Sequence, residues 1–526
     1  MNERIYIDIN NQIGKRSNII SSSVPYSIEK YLEDHNHAGI DLSMAISSKS
    51  IPYSVFLGNK EIIEISKKNK AIYPIASLYP GIEYDISNIN DYFRDLYANG
   101  VKGIFLDLTK LFEFIPSLFD SIFEFARKNR LPIMISWDDI QDKEKIFTLI
   151  NKNQDLKFII LNLNWSFRKY IFEYMKINKN LYIGINGFNY QGMIEDVCNV
   201  FSSKRLLFAS GYPFYNIGAC KAMVEYATIS EEEKNDIAYK NAMRIFNVKK
   251  ITKHPYDLSK DCIAELVDNG LPLNKNLSFP VIDVHTHFVG EEAKTVDWIG
   301  GGRSIEQLIK VSKKLGINEI RTSPLDGLLY DGIIGNRVTD KAIKDNGFII
   351  KGYVTANPYY SEDIQLAVQK LHDDNYIGVK LYPSKNYYPY EGDLYEPILK
   401  EASKVGKYFL LHGSPEEAEI IMQKYPDLNV LLAHSTQSYE FMDKVVKLSQ
   451  KYPQLYVDIC CRYIINGAIE YLVQKIGSKK ILFGSDSNLL SQEAHVGWIG
   501  YSDLSFEDKK NILYDNAKQL VKIRRK

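Results

Sequence analysis

The fold is most readily inferred from Phe279-Pro280-Val281-Ile282-Asp283-Val284-His285-Thr286-His287-Phe288, a short apolar run ending in two histidines one residue apart. Its β-branched residues predict a buried strand. Side chains alternate between the two faces of a strand, so His285 and His287 are expected to point the same way. Two imidazoles on one face of a buried strand form half of a metal site. The alternative is a pair of polar residues that merely ends a strand.

From this stretch to the end of the chain, apolar segments alternate with amphipathic helical segments. The predicted strands are 281–288, 317–324, 349–358, 377–383, 408–414, 429–435, 455–460 and 480–487. Eight strands that each precede a helix, over about 245 residues, are typical of a (βα)8 or TIM barrel. Reactive groups in such barrels lie at the carboxyl ends of the strands.

Polar side chains with metal-binding or acid–base chemistry stand at several of these predicted strand ends. They are Lys380 in the fourth strand, His412 in the fifth, His434 in the sixth and Asp486 in the eighth. Together with the first strand, four of the nine histidines of the chain lie at such ends. Any one of them could be a buried structural residue, but their common placement predicts a metal site at one end of the barrel.

This set of residues resembles the amidohydrolase superfamily, and within it the amidohydrolase-related family. That family includes aminocarboxymuconate-semialdehyde decarboxylase and several aromatic-acid decarboxylases. The resemblance covers residues 279 to about 523 and includes Asn516-Ala517, a pair typical of the family's last helix. It implies one divalent metal, zinc first, with manganese, iron or cobalt as alternatives. The metal ligands that it implies are His285, His287, His412 and Asp486.

The resemblance also implies roles for the remaining site residues. Asp486 would take the proton from an attacking water, and His434 would polarise or protonate the substrate. Lys380 leaves three interpretations open. It could be a carbamylated lysine that bridges two metals, or a free ammonium beside one metal that binds a substrate carboxylate or hydrogen-bonds to nearby groups. It could also be a buried lysine that only forms a salt bridge. We favour one metal.

Three residues near other strand ends are candidates for substrate binding. Arg321 and Arg462 could each hold a substrate anion with a bidentate fork, or could each pair with a structural carboxylate. Asn357, near the predicted end of the third strand, is the third candidate.

The first half of the chain repeats the pattern of the second at an offset of about 275 residues. Its predicted strands are 5–9, 41–46, 72–78, 101–106, 132–136, 158–162, 181–185 and 206–210. Asn241-Ala242 parallels Asn516-Ala517 in this repeat. The fold class is therefore α/β, with two tandem (βα)8 TIM barrels of the metal-dependent hydrolase type. Their predicted bounds are 1–250 and 279–526, with a linker at 251–278.

The reactive positions of the first half carry poor metal ligands. Asn10 and Gln12 stand opposite His285 and His287, Phe105 opposite Lys380, Ser136 opposite His412, Asn162 opposite His434 and Gly211 opposite Asp486. Because none of these suits zinc, the first barrel is predicted to be catalytically inactive. A second histidine pair, His35-Asn36-His37, falls at a predicted helix end, where the helix dipole favours histidine.

Composition narrows the class of protein. Lysine plus arginine and aspartate plus glutamate each number 65 in 526 residues, so the net charge is zero. This balance argues against nucleic-acid and membrane-surface partners. The five cysteines lack CxxC spacing, and Cys460-Cys461 is interpreted as strand-end packing. Without a signal-peptide pattern or a long apolar run, a cytoplasmic location is expected.

Three functions remain open at this point. We favour a hydrolase that uses a metal-activated water on a small-molecule amide, ester or lactone. The second is nonoxidative decarboxylation of an aromatic or unsaturated carboxylic acid at the same metal site. The third is a non-catalytic binding or scaffold protein. The two barrels are expected to pair internally, in a monomer or a homo-oligomer.

Overall fold

The computed structural model describes residues 4–16, 26–164, 167–251, 279–291, 293 and 304–522. The chain divides into two compact units, Met1–Asp261 and Cys262–Lys526. Each unit contains its own eight-stranded parallel sheet with the strands in sequence order, which confirms the two predicted TIM barrels. The predicted linker lies outside the described residues, apart from residue 251. No helix in the described part of the chain is long and apolar enough to cross a membrane.

The N-terminal barrel is built from eight short strands. They are β1 (Ile7–Ile13), β2 (Leu42–Ser47), β3 (Ile72–Leu78), β4 (Gly103–Leu106), β5 (Ile133–Ser136), β6 (Phe158–Leu161), β7 (Leu181–Gly184) and β8 (Leu206–Leu207). The main helices are Ile28–His37, Val55–Lys68, Ile89–Ala98, Asp120–Asn129, Lys143–Lys152, Arg168–Ile177, Met193–Phe201 and Ile217–Tyr226. The amide of Ile9 donates to the carbonyl oxygen of Phe208 at 3.1 Å, which brings the last strand back to the first.

The C-terminal barrel has the same order of elements. Its strands are β9 (Val281–Phe288), β10 (Ile317–Pro324), β11 (Ile350–Val354), β12 (Tyr376–Lys380), β13 (Tyr408–Leu411), β14 (Val430–Leu432), β15 (Leu455–Asp458) and β16 (Ile481–Leu482). Its main helices are Ile305–Lys314, Gly332–Asn346, Ser361–Lys370, Glu396–Lys404, Pro415–Lys424, Tyr439–Lys451, Ala468–Ile476, Gln492–Gly500 and Asn516–Lys522. The amide of Val284 donates to the carbonyl oxygen of Phe483 at 2.9 Å, the counterpart of the bond that closes the first barrel.

A bulge in β9 positions the histidine pair. Asp283 and Thr286 pair with Ile320 and Thr322 of β10, so β9 carries one extra residue between them. An extra residue in one strand changes the direction in which the following side chains point. Val284 therefore packs in the apolar core of the barrel, while the Nε2 atoms of His285 and His287 lie 3.3 Å apart at the end of the strand. The first barrel shows a register shift at the equivalent place, between Asp8 and Asn11.

Matching buried hydrogen bonds support a tandem duplication. The side-chain amide of Asn241 donates to two carbonyl oxygens near the start of β8, and that of Asn516 does the same near β16. In each barrel, an aspartate of the first strand also accepts from the amide and hydroxyl of a serine beyond the last strand. The two halves thus share local interactions as well as strand order.

Candidate metal centre

Two histidines and one aspartate bring their ligand atoms together at the carboxyl end of the C-terminal barrel. Nε2 of His287 lies 3.3 Å from Nε2 of His285 and 3.3 Å from Oδ1 of Asp486. Nε2 of His285 lies 3.9 Å from the same carboxylate oxygen. All three ligand atoms fall within 4.8 Å of one another, a spacing at which one ion can contact each of them. The sequence pattern predicted this convergence.

Hydrogen bonds on the far side of each ring orient these two histidines. Nδ1 of His285 lies 2.9 Å from Oδ2 of Asp458, and Nδ1 of His287 lies 3.1 Å from the carbonyl oxygen of Ser323. With an oxygen acceptor at each Nδ1, that nitrogen carries the proton and Nε2 keeps its lone pair. Burial, reinforced by the positive charge of Lys380, holds the pKa of His285 well below its usual value. Neutral imidazoles and a carboxylate form a donor set that fits a divalent cation.

Asp486 is held in an uncommon backbone conformation. Its φ is +57°, in the left-handed region that side chains other than glycine rarely adopt. Its amide donates to the carbonyl oxygen of His285 at 2.8 Å, which ties the aspartate to the histidine strand. Burial alone would raise the pKa of Asp486, but the contact with His287 and the neighbouring imidazoles hold it well below its usual range. The carboxylate is therefore ionised and available as a ligand.

Lys380 places a cation inside this cluster. Its side chain is 2% exposed, and Nζ lies 3.1 Å from Nε2 of His285. Burial lowers the pKa of Lys380 to about 8, although Asp486 and Asp458 act in the opposite direction. No carboxylate among the described residues forms an ion pair with the ammonium.

His412 and His434 form a second imidazole pair beside the first. Nε2 of His434 lies 3.1 Å from Nδ1 of His412. Burial, followed by the charges of His434 and Lys380, holds the pKa of His412 well below its usual value. His412 borders the three converging ligand atoms without joining that group. Its role as a fourth ligand, like that of His434 as a proton donor, stays a prediction.

Sequence reasoning missed two residues at the end of β15. Asp458 accepts from Nδ1 of His285 and, at 2.8 Å, from the amide of His434, so it connects both imidazole pairs. The thiol of Cys460 lies 3.0 Å from Asp458, 3.1 Å from Nδ1 of His285 and 3.2 Å from Nδ1 of His434. The sequence feature that could have identified Asp458 is that it is an acidic residue at the end of the seventh predicted strand.

One of the predicted substrate-binding residues is structural, and the other two stay open. Arg321 is 2% exposed and donates to Glu319 at 2.8 Å, Tyr408 at 3.2 Å and the carbonyl oxygen of Ala517 at 3.0 Å. Tyr408 is the first residue of β13, so this guanidinium lies towards the opposite end of the barrel and cannot hold a substrate at the metal centre. Asn357 accepts from the amide of Tyr359 in the loop after β11. Arg462 lies over the ring of Tyr463 in the loop after β15.

The equivalent region of the N-terminal barrel is a network of neutral groups. Asn10 donates to Asn162 at 3.2 Å, and Asn162 donates to Ser136 at 3.0 Å. A Cβ atom at Gly211 would lie 2.6 Å from the ring of Tyr215, so that ring fills the space equivalent to the Asp486 carboxylate.

The second histidine pair lies at the helix end where it was predicted. The helix Ile28–His37 carries both histidines in its last turn. His35 is buried and its ring lies 2.9 Å from Oδ1 of Asn11, which gives it a structural partner.

Comparison with known proteins places a family match on the second barrel. Residues 332–523 match the sequence model described as amidohydrolase. The chain is similar in structure to 2,6-dihydroxybenzoate decarboxylase from Rhizobium, with 14% identity over 46% of this chain and 99% of that chain at a TM-score of 0.38.

Two further structures of this kind are similar to the chain. Dihydroxybenzoic acid decarboxylase from Polaromonas sp. JS666, with bound manganese, shows 16% identity over 47% of this chain and 98% of that chain at a TM-score of 0.37. 5-Carboxyvanillate decarboxylase from Sphingomonas paucimobilis shows 12% identity over 47% of this chain and 99% of that chain at a TM-score of 0.38. No curated protein matches the chain.

Proposed function

We propose that the C-terminal barrel, whose residues 332–523 match the amidohydrolase family model, is a metal-dependent enzyme that removes carbon dioxide from a small aromatic or unsaturated carboxylic acid. Lys380 carries this proposal. Its buried ammonium lies 3.1 Å from a ligand nitrogen and has no carboxylate partner among the described residues. A buried charge without a counter-ion is costly, on the order of several kcal/mol. Asp486 and Asp458 raise the pKa of Lys380 but form no ion pair with it, so the carboxylate of a substrate would supply a direct counter-ion.

His285, His287 and Asp486 would hold the metal, with His412 as a fourth ligand. Imidazole nitrogen and carboxylate oxygen suit zinc, manganese, iron and cobalt. The bound ion would supply a Lewis acid beside the substrate.

Lys380 and His434 would then have separate roles, substrate binding and proton donation. Lys380 would hold the substrate carboxylate with a charge-assisted hydrogen bond. As the carbon–carbon bond breaks, its electron pair stays on the substrate carbon and carbon dioxide leaves as a neutral molecule. His434, hydrogen-bonded to His412 at 3.1 Å, would donate a proton to that carbon. The net change is one carboxylate replaced by one hydrogen.

Aromatic side chains beside the site support a planar substrate. The ring of Tyr382 lies 4.9 Å from that of His412, centroid to centroid. In the adjoining loops, the rings of Tyr359 and Tyr388 meet edge to face at 5.8 Å. Such rings pack well against a flat apolar body.

Hydrolysis, which the sequence alone favoured, is the second candidate, and Lys380 is again the observation behind it. A carbamate on this lysine, together with His412 and His434, would help to hold a second metal. The barrel would then use a metal-activated water on an amide, ester or lactone. The N-terminal barrel is proposed to be non-catalytic in either case, because neutral groups occupy its equivalent positions.

Metal content and product analysis of the full chain test this proposal together. The purified protein is analysed for metal per chain, with His285→Ala as control, and then assayed for carbon dioxide release from a panel of aromatic and unsaturated acids. One metal per chain, and release that Lys380→Met abolishes, are expected. Two metals with turnover of amides, esters or lactones would establish hydrolysis instead. Metal binding without turnover of either panel would favour the binding or scaffold function.

A further inference from the structure

Arg16 lies at the carboxyl end of the N-terminal barrel, three residues after β1. Its guanidinium carbon is 4.0 Å from the centre of the Phe214 ring, and one Nη donates to Oε1 of Gln12. Gln12 stands where His287 stands in the other barrel. Phe214 follows Gly211, the counterpart of Asp486. Arg16 is thus beside the region that corresponds to the metal centre.

The charge of Arg16 has no acidic partner among the described residues. Its Nε is buried and makes no hydrogen bond. Burial lowers the pKa of Arg16 to about 10, so the group is still cationic at neutral pH. The side chain is neither fully buried nor fully exposed. An arginine that is largely removed from water normally pairs with an anion.

The polar groups at the positions equivalent to the metal centre are neutral. Asn10 donates to Asn162, and Asn162 donates to Ser136. They provide amide and hydroxyl groups but no carboxylate, so they offer nothing that a divalent cation prefers. Among the described residues, the guanidinium contacts one neutral amide, that of Gln12, and one aromatic ring, that of Phe214.

We propose that this face of the N-terminal barrel binds a small organic monocarboxylate. The planar fork of Arg16 matches a carboxylate, which would accept hydrogen bonds from its two Nη groups. The body of the ligand would lie against the rings of Phe214 and Tyr215. A phosphate dianion fits less well, because a single guanidinium would compensate one of its charges only. This site does not depend on the function proposed for the other barrel.

Titration calorimetry on the full chain tests the proposal with benzoate, acetate and inorganic phosphate as probes. The protein is freed of metal with a chelator and carries Lys380→Met, so that the C-terminal barrel cannot hold a carboxylate through either. Benzoate is expected to bind with one site per chain. Arg16→Met, which keeps the apolar stem over Phe214, should weaken binding at least ~10-fold. The matched control Arg94→Met, at a side chain that is 75% exposed, should leave binding unchanged.

The thermal stability of the variant separates a binding role from a structural one. Without ligand, Arg16→Met is expected to unfold at the same or a higher temperature than its parent, because it removes an unpaired charge from a partly buried place. The parent should gain stability on adding benzoate, and the variant should not. The proposal is overturned if neither carboxylate binds the parent, if phosphate binds more tightly than benzoate, or if Arg16→Met binds benzoate like the parent.

Discussion

Asp458 offers the sharpest test of how the metal centre is assembled. Its carboxylate lies 2.9 Å from Nδ1 of His285 and 2.8 Å from the amide of His434. Asp458→Asn keeps the size and one oxygen but turns the other position into an N–H donor. If the oxygen stays on the His434 amide, the new donor faces Nδ1 of His285. That nitrogen must then become an acceptor, and its proton moves to Nε2, the atom that should bind the metal.

The expected loss follows from this change of tautomer. Replacing the partner that orients a histidine ligand typically weakens metal binding ~10–100-fold. This corresponds to about 1.4–2.7 kcal/mol. His285→Ala removes the ligand itself and should cost more than Asp458→Asn.

Competition with a chromophoric chelator measures the metal affinity of each variant. Asp427→Asn, at an exposed position after the helix Pro415–Lys424, is the matched control and should bind metal like wild type. Thermal unfolding of the metal-free proteins verifies that all of them are folded. If Asp458→Asn binds zinc and manganese within about threefold of wild type while His285→Ala does not, the carboxylate does not set the tautomer and the reasoning fails.

Three further predictions concern stability. Arg321→Met should lower the free energy of unfolding by about 2–4 kcal/mol, because it removes a buried hydrogen-bonded charge. The metal content should stay unchanged. Loss of metal with unchanged stability would instead indicate that Arg321 belongs to the metal centre. Burial, followed by the charges of Asp107 and Asp138, raises the pKa of Asp139 from 3.8 to about 7. The protonated carboxyl of Asp139 therefore contributes fully to the free energy of unfolding below pH ~4, and this contribution is lost as the pH rises through 7. Asp139→Asn should therefore gain stability relative to wild type between pH 4 and 8, by about 1–2 kcal/mol after allowing for partial exposure, and a pH-independent difference in urea unfolding would contradict this. Gly211→Ala should cost about 1–3 kcal/mol, because φ is +79° and the new Cβ would meet the Tyr215 ring at 2.6 Å; an unchanged melting temperature would count against that packing.

The barrels were predictable because the strand signal is local. A buried parallel strand is a short run of apolar residues, and such runs recur throughout both halves. The bounds predicted for β3, β9 and β10 match those observed. The last strand was predicted at 480–487 but spans only Ile481–Leu482, because the chain then leaves the ladder and takes a left-handed turn at Asp486.

The candidate site was predictable only in part. Residue type and strand-end position were enough to select His285, His287, Lys380 and Asp486, which the structure brings together. Asp458 was not predicted, because its role depends on the 2.9 Å distance between its Oδ2 and Nδ1 of His285, a residue far away in sequence.

The amino-acid sequence by itself determined the two-barrel architecture, its internal repeat and the chemical types of the reactive groups, since these depend on local patterns. Tertiary structure alone decided which end of the barrel each side chain faces and which groups touch. Arg321 lies towards the opposite end from the metal centre, although sequence placed it near a strand end. Arg16 has no acidic partner among the described residues, where its contacts are Gln12 and Phe214. Packing between distant strands sets such contacts, and neither strand encodes them alone.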